Sequence, residues 1–111
     1  MRKFTFTLVE RILLRPAVAN AQGNLETMRK AFRVLEAIDF TDEERQLIPQ
    51  VGIIDLDGLP DSPKEINLEE AEYEWLVRFI ETYQGWQPRK AIFSMVEAIK
   101  GAETIKPNKE D

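Results

Sequence analysis

The residues best suited to chemistry in this chain are carboxylates. Asp55 and Asp57 belong to the segment D-L-D-G, and Asp61 follows three residues after its glycine. Aspartates before a glycine are typical of calcium loops, which also need a ligand at the first position and a glutamate at the twelfth. Those two positions hold Ile53 and Lys64. The pattern favours an acidic turn over an ion site, and we predict no metal and no cofactor.

A second group of carboxylates, Glu69, Glu70, Glu72 and Glu74, crowds the start of one predicted helix. Paired carboxylates do acid–base chemistry when burial raises the pKa of one of them. The sequence does not indicate which would be buried, and glutamates at a helix N-terminus also stabilise the helix dipole. We therefore assign no catalytic residue.

The chain contains no histidine and no cysteine. Without histidine, general-base chemistry near neutral pH needs a carboxylate or lysine with a shifted pKa, and zinc lacks its usual nitrogen ligand. Without cysteine there is no disulfide or thiolate nucleophile, which fits a reducing compartment. We predict a non-enzymatic, cytoplasmic protein.

Arg29, Lys30 and Arg33 lie on the outer side of a predicted helix, and Arg11 and Arg15 are candidates to join them. Binding to phosphates needs several positive charges on one surface. These three residues carry the alternative function, a nucleic-acid-associated regulator. The net charge of −5 argues against it.

The charge is unevenly distributed along the chain, with balances of +3 over residues 1–39, −9 over 40–85 and +1 over 86–111. Such a dipolar chain can associate head to tail or bind a basic partner through its acidic middle. Solvated helix faces explain the same pattern without any partner.

The strongest helix signal runs from Asn67 to Tyr83, with Asn67 and Glu70 at the spacing of a capping box. Apolar residues recur there at steps of three and four: Leu68, Ala71, Trp75, Leu76, Phe79, Ile80 and Tyr83. We predict that this helix forms the core and that any exposed part of its aromatic face contacts a partner. The predicted interface consists of Trp75, Phe79, Tyr83, Trp86, Glu70 and Glu74.

The rest of the chain predicts shorter elements. A strand at Lys3–Phe6 precedes a helix that Thr7 and Glu10 cap and that Pro16 ends after Leu14. Asn24 caps a second helix, which runs to about residue 38. Its predicted buried stripe is Leu25, Met28, Phe32, Leu35 and Ile38.

Three further elements complete the prediction. A short helix begins with the capping box of Thr41 and Glu44 and runs to about residue 48. Residues 51–56 and 65–68 form a hairpin across a turn-rich loop. A final helix at 88–100 ends at Gly101 and buries Ile92, Met95, Val96 and Ile99.

The fold class that follows is α+β and predominantly α-helical, with about five helices and a short hairpin or small sheet. We expect one globular domain over residues 1–105 and a polar tail at 106–111. No apolar run approaches the length of a membrane span, so we expect no membrane partner. Glu10, Arg11 and Arg15 interrupt the N-terminal apolar run and argue against a signal peptide.

Several segments together, F-T-L-V-E-R-I-L-L, T-D-E-E-R and I-N-L-E-E-A-E-Y-E-W-L, resemble small phage- or prophage-encoded proteins of uncharacterised function. The resemblance implies a bacterial host cytoplasm or a virion as the location. It also implies a role in virion assembly or in binding a phage or host protein, and it supplies no site residues. We expect a small protein-binding or assembly protein that forms a homo-oligomer.

Overall fold

The computed structural model describes residues 1–47, 59–60 and 62–104. Within them the chain forms five helices and three strands. In chain order these are β1 (Arg2–Phe6), α1 (Leu8–Ala19), α2 (Leu25–Ala37), α3 (Asp42–Leu47), β2 (Lys64–Leu68), α4 (Glu70–Thr82), α5 (Lys90–Lys100) and β3 (Glu103–Thr104). The predicted α+β, mostly helical fold class is confirmed.

The three strands form one antiparallel sheet with β1 in the centre, in the order β2-β1-β3. Phe4 lies opposite Ile66, and alternate residues of β1 and β2 are buried, as expected when only one sheet face is covered. The strands predicted at 3–6 and 65–68 are confirmed. The strand β3 was not predicted, because a two-residue segment has no measurable periodicity.

Three predictions fall outside the described residues. They are the partner strand of the predicted hairpin at 51–56, the acidic turn with Asp55, Asp57 and Asp61, and the polar tail at 106–111.

The core lies between the buried face of the sheet and the inner sides of α1, α2, α4 and α5. Phe6 and Ile66 supply the sheet side, and Leu14, Val34 and Leu76 supply much of the helical side. The helix α5 buries Ile92, Met95 and Ile99, as predicted, and Val96 packs against them half-buried.

The helix α1 begins as predicted but does not end as predicted. The Glu10 amide donates to Thr7 Oγ1 at 3.3 Å, and the Thr7 amide donates to Glu10 Oε1 at 2.8 Å. The helix then continues through Pro16 to Ala19, so the predicted end at Leu14 is wrong. A proline removes a single backbone hydrogen bond, and burial of the residues after it, such as Val18, outweighs that loss here.

The helix α4 begins two residues later than predicted. Asn67 does not cap it, because Asn67 and Leu68 belong to β2, where Leu68 is buried. Glu69 is the N-cap residue, and its amide donates to Glu72 Oε1 at 3.3 Å. These two residues form part of the strand and not of the helix, because alternate burial in β2 places Leu68 in the core.

The buried side of α2 also differs from the prediction. Ile38 is buried as predicted and Leu35 packs against the core half-buried, but Leu25 and Phe32 are exposed, and Ala31 and Val34 are buried instead. The N-terminal part of the predicted stripe therefore faces outward. Small side chains such as Ala31 allow α2 to pack closely against its neighbours, which decides the rotation of the helix.

Candidate functional site

A groove of about 830 Å³ follows the outer side of α2 and reaches the first turn of α4. Two other hollows on the described part of the chain are smaller, at about 210 and 420 Å³. Its lining combines apolar and charged side chains: Leu25, Glu26, Met28, Arg29, Lys30, Phe32, Arg33, Ala71 and Glu72. We call this surface the α2 face.

Two large apolar side chains of the α2 face extend into solvent. Leu25 is 76% exposed and Phe32 is 61% exposed, and Met28 lies between them half-buried. Residues at this spacing lie close to one line along a helix. Contiguous exposed apolar surface of this kind marks binding sites more often than isolated exposed residues do.

The cations predicted for nucleic-acid contact, Arg29, Lys30 and Arg33, are brought together in the same groove. Arg33 Nε lies 3.5 Å from Glu72 Oε2, and the Arg33 side chain is still largely exposed. Arg29 and Lys30 form no ion pair with any other described residue. The groove thus presents free positive charge beside an apolar stripe.

Arg11 and Arg15, the other candidates for a basic face, do not join it. Arg15 donates to the Leu35 carbonyl oxygen at 2.6 Å and lies 3.5 Å from Asp39 Oδ1. Arg11 is fully buried. These two candidates therefore do not extend the basic face, because Arg11 is buried and the half-buried Arg15 is bound to Leu35 and Asp39.

Arg11 forms a buried ion pair with Glu44 of α3. Its two terminal nitrogens donate to the two carboxylate oxygens at 2.9 and 2.7 Å. This hydrogen bonding by Arg11 lowers the pKa of Glu44 to about 2, against the smaller opposing effect of burial. Arg11 Nε has no hydrogen-bond partner among the described residues.

The same pair connects three parts of the chain. Arg11 also donates to the Asp39 and Ser62 carbonyl oxygens, at 3.4 and 2.7 Å. Ser62 Oγ donates to Glu44 Oε2 at 2.6 Å, and the Thr41 amide donates to Glu44 Oε1. All carboxylate oxygens are occupied, so the cluster holds α1, α3 and the segment before β2 together and leaves no free acid or base.

Glu10 is a second buried carboxylate, and the structural role predicted for it was to cap α1. Besides the Thr7 amide, it accepts a hydrogen bond from Ser94 Oγ of α5 at 2.5 Å. These donors hold Glu10 as a structural acceptor that connects α1 to α5. The only signal in the sequence was the capping box, which predicts the local bond and not the contact with α5.

The predicted aromatic group forms a continuous ladder along α4 and the following turn. Ring centroids lie 5.2 Å apart for Trp75 and Phe79, 5.4 Å for Phe79 and Tyr83, and 4.7 Å for Tyr83 and Trp86. All four side chains are half-buried, and Trp86 Nε1 donates to the Ile80 carbonyl oxygen at 3.0 Å. This aromatic ladder packs on the edge of the core.

The predicted acidic border of this interface lies elsewhere. At about 100° per residue, Glu70 and Glu74 flank the buried side of α4 on one side, and Trp75 and Phe79 flank it on the other. Glu70 pairs with Arg2 at 3.1 Å, and this hydrogen bond lowers the pKa of Glu70. The six residues therefore do not form one surface, because α4 displays them on two sides of its buried stripe.

Tyr73, which was absent from the predicted apolar stripe, connects α4 to α5. Tyr73 is buried, and its hydroxyl donates to the Ile99 carbonyl oxygen at 2.7 Å. Its ring also lies 4.6 Å from the Arg2 guanidinium. Its three-residue spacing to Leu76 was the available signal, and the start assigned at Asn67 concealed it.

The described residues contain no group of three or more carboxylates that could hold a metal ion. None of the helices in the described ranges has the length and apolar character needed to cross a bilayer. Comparison with protein-family models, with curated proteins and with solved structures gave no match in any of the three.

Proposed function

We propose that this chain is a non-enzymatic protein-binding protein and that its contact surface is the α2 face. The observation that carries the proposal is the exposure of Leu25 and Phe32 on a helix whose opposite side belongs to the core. When a partner removes large apolar side chains in this position from water, the free energy falls and the complex is stabilised.

The rigidity of α2 also supports the α2 face as a contact surface. Asn24 Oδ1 accepts a hydrogen bond from the Thr27 amide at 2.9 Å, which fixes the first turn beside Leu25. Val34 and Ile38 anchor the helix in the core. A preformed surface loses little conformational entropy on binding, so most of its contact energy is available for affinity.

The function class agrees with the expectation from the sequence, but the surface is a different one. The aromatic ladder supports α4, and the exposed apolar stripe of α2 takes the role of contact surface. Self-association through this face and a part in phage assembly remain proposals of the same class.

The test is site-specific photo-cross-linking from position 32. A photoreactive phenylalanine analogue at Phe32 is compared with the same analogue at Phe93, which is 65% exposed on α5 and lies outside the groove. We expect protein adducts from position 32 and not from position 93. The captured protein is then purified, and its binding is measured against Phe32→Ser and Phe93→Ser variants.

Equal adducts from the two positions, or none from position 32, would refute the proposal. The same is true of a captured protein that binds the Phe32→Ser variant as tightly as the parent chain. Because both phenylalanines are exposed, neither substitution is expected to change the stability of the fold by more than about 0.5 kcal/mol.

A second candidate function is binding of single-stranded nucleic acid. It is favoured by the position of Arg29, Lys30 and Arg33 around the exposed ring of Phe32, because bases stack on aromatic side chains beside cations. Glu26 and Glu72 line the same groove and oppose phosphates. Binding of a labelled oligonucleotide that falls steeply with salt, and that is lost on charge reversal of the three cations, would favour this candidate over the first.

A further inference from the structure

We infer that the α2 groove accepts an acidic amphipathic helix of a partner protein. The inference rests on the proposed function and specifies the chemistry of the partner. It is carried by the arrangement of apolar and charged side chains around the groove.

The apolar side chains favour a helical partner. Leu25, Met28 and Phe32 are spaced by three and four residues along α2, whose thirteen residues span about 20 Å. A helix with apolar residues at the same intervals can fit its side chains between them, as ridges fit into grooves. Helices bound in grooves use anchors at this spacing.

The charges favour carboxylates on that helix. Arg29 borders the apolar stripe, and Lys30 lines the same groove farther around the helix; neither has an ionic partner in the described part of the chain. Arg33 is held at 3.5 Å from Glu72, a distance that leaves its exposed end available to a second carboxylate. A partner with glutamates beside its apolar residues would meet these cations, whereas a basic partner would meet only Glu26 and the paired Glu72.

The acidic side of α4 in a second copy fits less well, because two of its carboxylates already have cationic partners. Glu70 pairs with Arg2, and Glu81 Oε2 lies 2.8 Å from Lys100 Nζ. Arg78 lies between Glu74 and Glu81 on the same hollow of α4. A separate acidic helix brings carboxylates that are free to pair.

The experiment uses two designed helical peptides of about fourteen residues, or four turns. Both carry leucines at steps of three and four, and one carries glutamates on the flanks where the other carries lysines. Binding of each labelled peptide is measured by fluorescence anisotropy. We expect the glutamate peptide to bind about tenfold more tightly or better, and this preference to weaken with added salt.

Charge reversal provides the matched test. In an Arg29→Glu/Lys30→Glu variant the preference is expected to invert, so that the lysine peptide binds more tightly. Phe32→Ser is expected to weaken both peptides, and Phe93→Ser to leave both unchanged. An inversion together with loss at position 32 would support the inference, since only the apolar stripe and its two cations produce that combination.

Three results would overturn the inference. The first is equal binding of the two peptides, and the second is an unchanged preference in the charge-reversed variant. The third is a dimer that forms as the concentration of the chain rises and that displaces the glutamate peptide. If any of these results is found while photo-cross-linking from position 32 still gives protein adducts, the proposed protein-binding function stands. Only the inference of an acidic helical partner is then rejected.

Discussion

Replacing Glu44 by glutamine leaves the fully buried guanidinium of Arg11 without a counter-charge. The two groups are joined by hydrogen bonds of 2.9 and 2.7 Å, and removal of one member of a buried pair costs about 3–5 kcal/mol. A domain of this size has a free energy of unfolding of about 5–15 kcal/mol in total. The substitution is therefore expected to remove a large part of the stability.

The same pair predicts how stability depends on acid. The pKa of Glu44 is about 2 in the folded chain and 4.5 in its ordinary state. This depression corresponds to about 3 kcal/mol of stability, because one pKa unit is worth about 1.4 kcal/mol. A carboxylate whose pKa is lowered in the folded state stabilises the fold at pH values above its ordinary pKa. We expect the contribution to be complete above about pH 5 and to disappear as the pH falls towards 2.

The assay is urea unfolding followed by the fluorescence of Trp75 and Trp86, at several values between pH 7 and pH 2. The difference between the parent chain and Glu44→Gln isolates this carboxylate, since Asp39 and Glu70 also have lowered pKa values and are present in both. We expect the difference to be largest at neutral pH and to shrink in acid. A loss below about 1 kcal/mol at pH 7, or a difference that does not change with pH, would refute the reasoning.

Four further substitutions, at three positions, test the packing and helix capping by their urea midpoints. Tyr73→Phe removes one of the donors to the Ile99 carbonyl, which keeps the Ala102 amide at 3.2 Å, and should cost about 1 kcal/mol; an unchanged midpoint would contradict the hydrogen bond. Asn24→Ala removes the acceptor for the Thr27 amide and should cost about 1 kcal/mol, whereas Asn24→Ser should retain most of the stability. Phe79→Ala should lower the free energy of unfolding by about 2 kcal/mol and leave a folded chain, because removal of a half-buried ring costs less than the 3–5 kcal/mol of a fully buried one. Global unfolding seen by circular dichroism would contradict this value.

The parts of the fold that were predictable depend on neighbours in sequence. Capping boxes located the starts of α1 and α3, and Asn24 located the start of α2. The alternation of polar and aromatic residues located β1, and the turn-rich run before residue 65 located β2. Each of these signals joins residues within one turn or one strand, so no knowledge of the rest of the chain was needed.

The candidate site was predictable only in part. The sequence grouped Arg29, Lys30 and Arg33 on one helix face, and the structure brings the three together. It could not indicate that Phe32 and Leu25 would be exposed beside them. The period of a helix allows more than one apolar stripe, and only contacts with other elements decide which stripe is buried.

What the sequence determined by itself is therefore the five helices, the strands β1 and β2, the caps of α1, α2 and α3, and the absence of histidine and cysteine chemistry. Tertiary structure decided two things: the burial of Arg11 against Glu44 and the outward rotation of α2. The physical reason is the same in each case. Packing brings together groups that lie far apart in sequence, and the free energy of burial outweighs the preferences of any single helix.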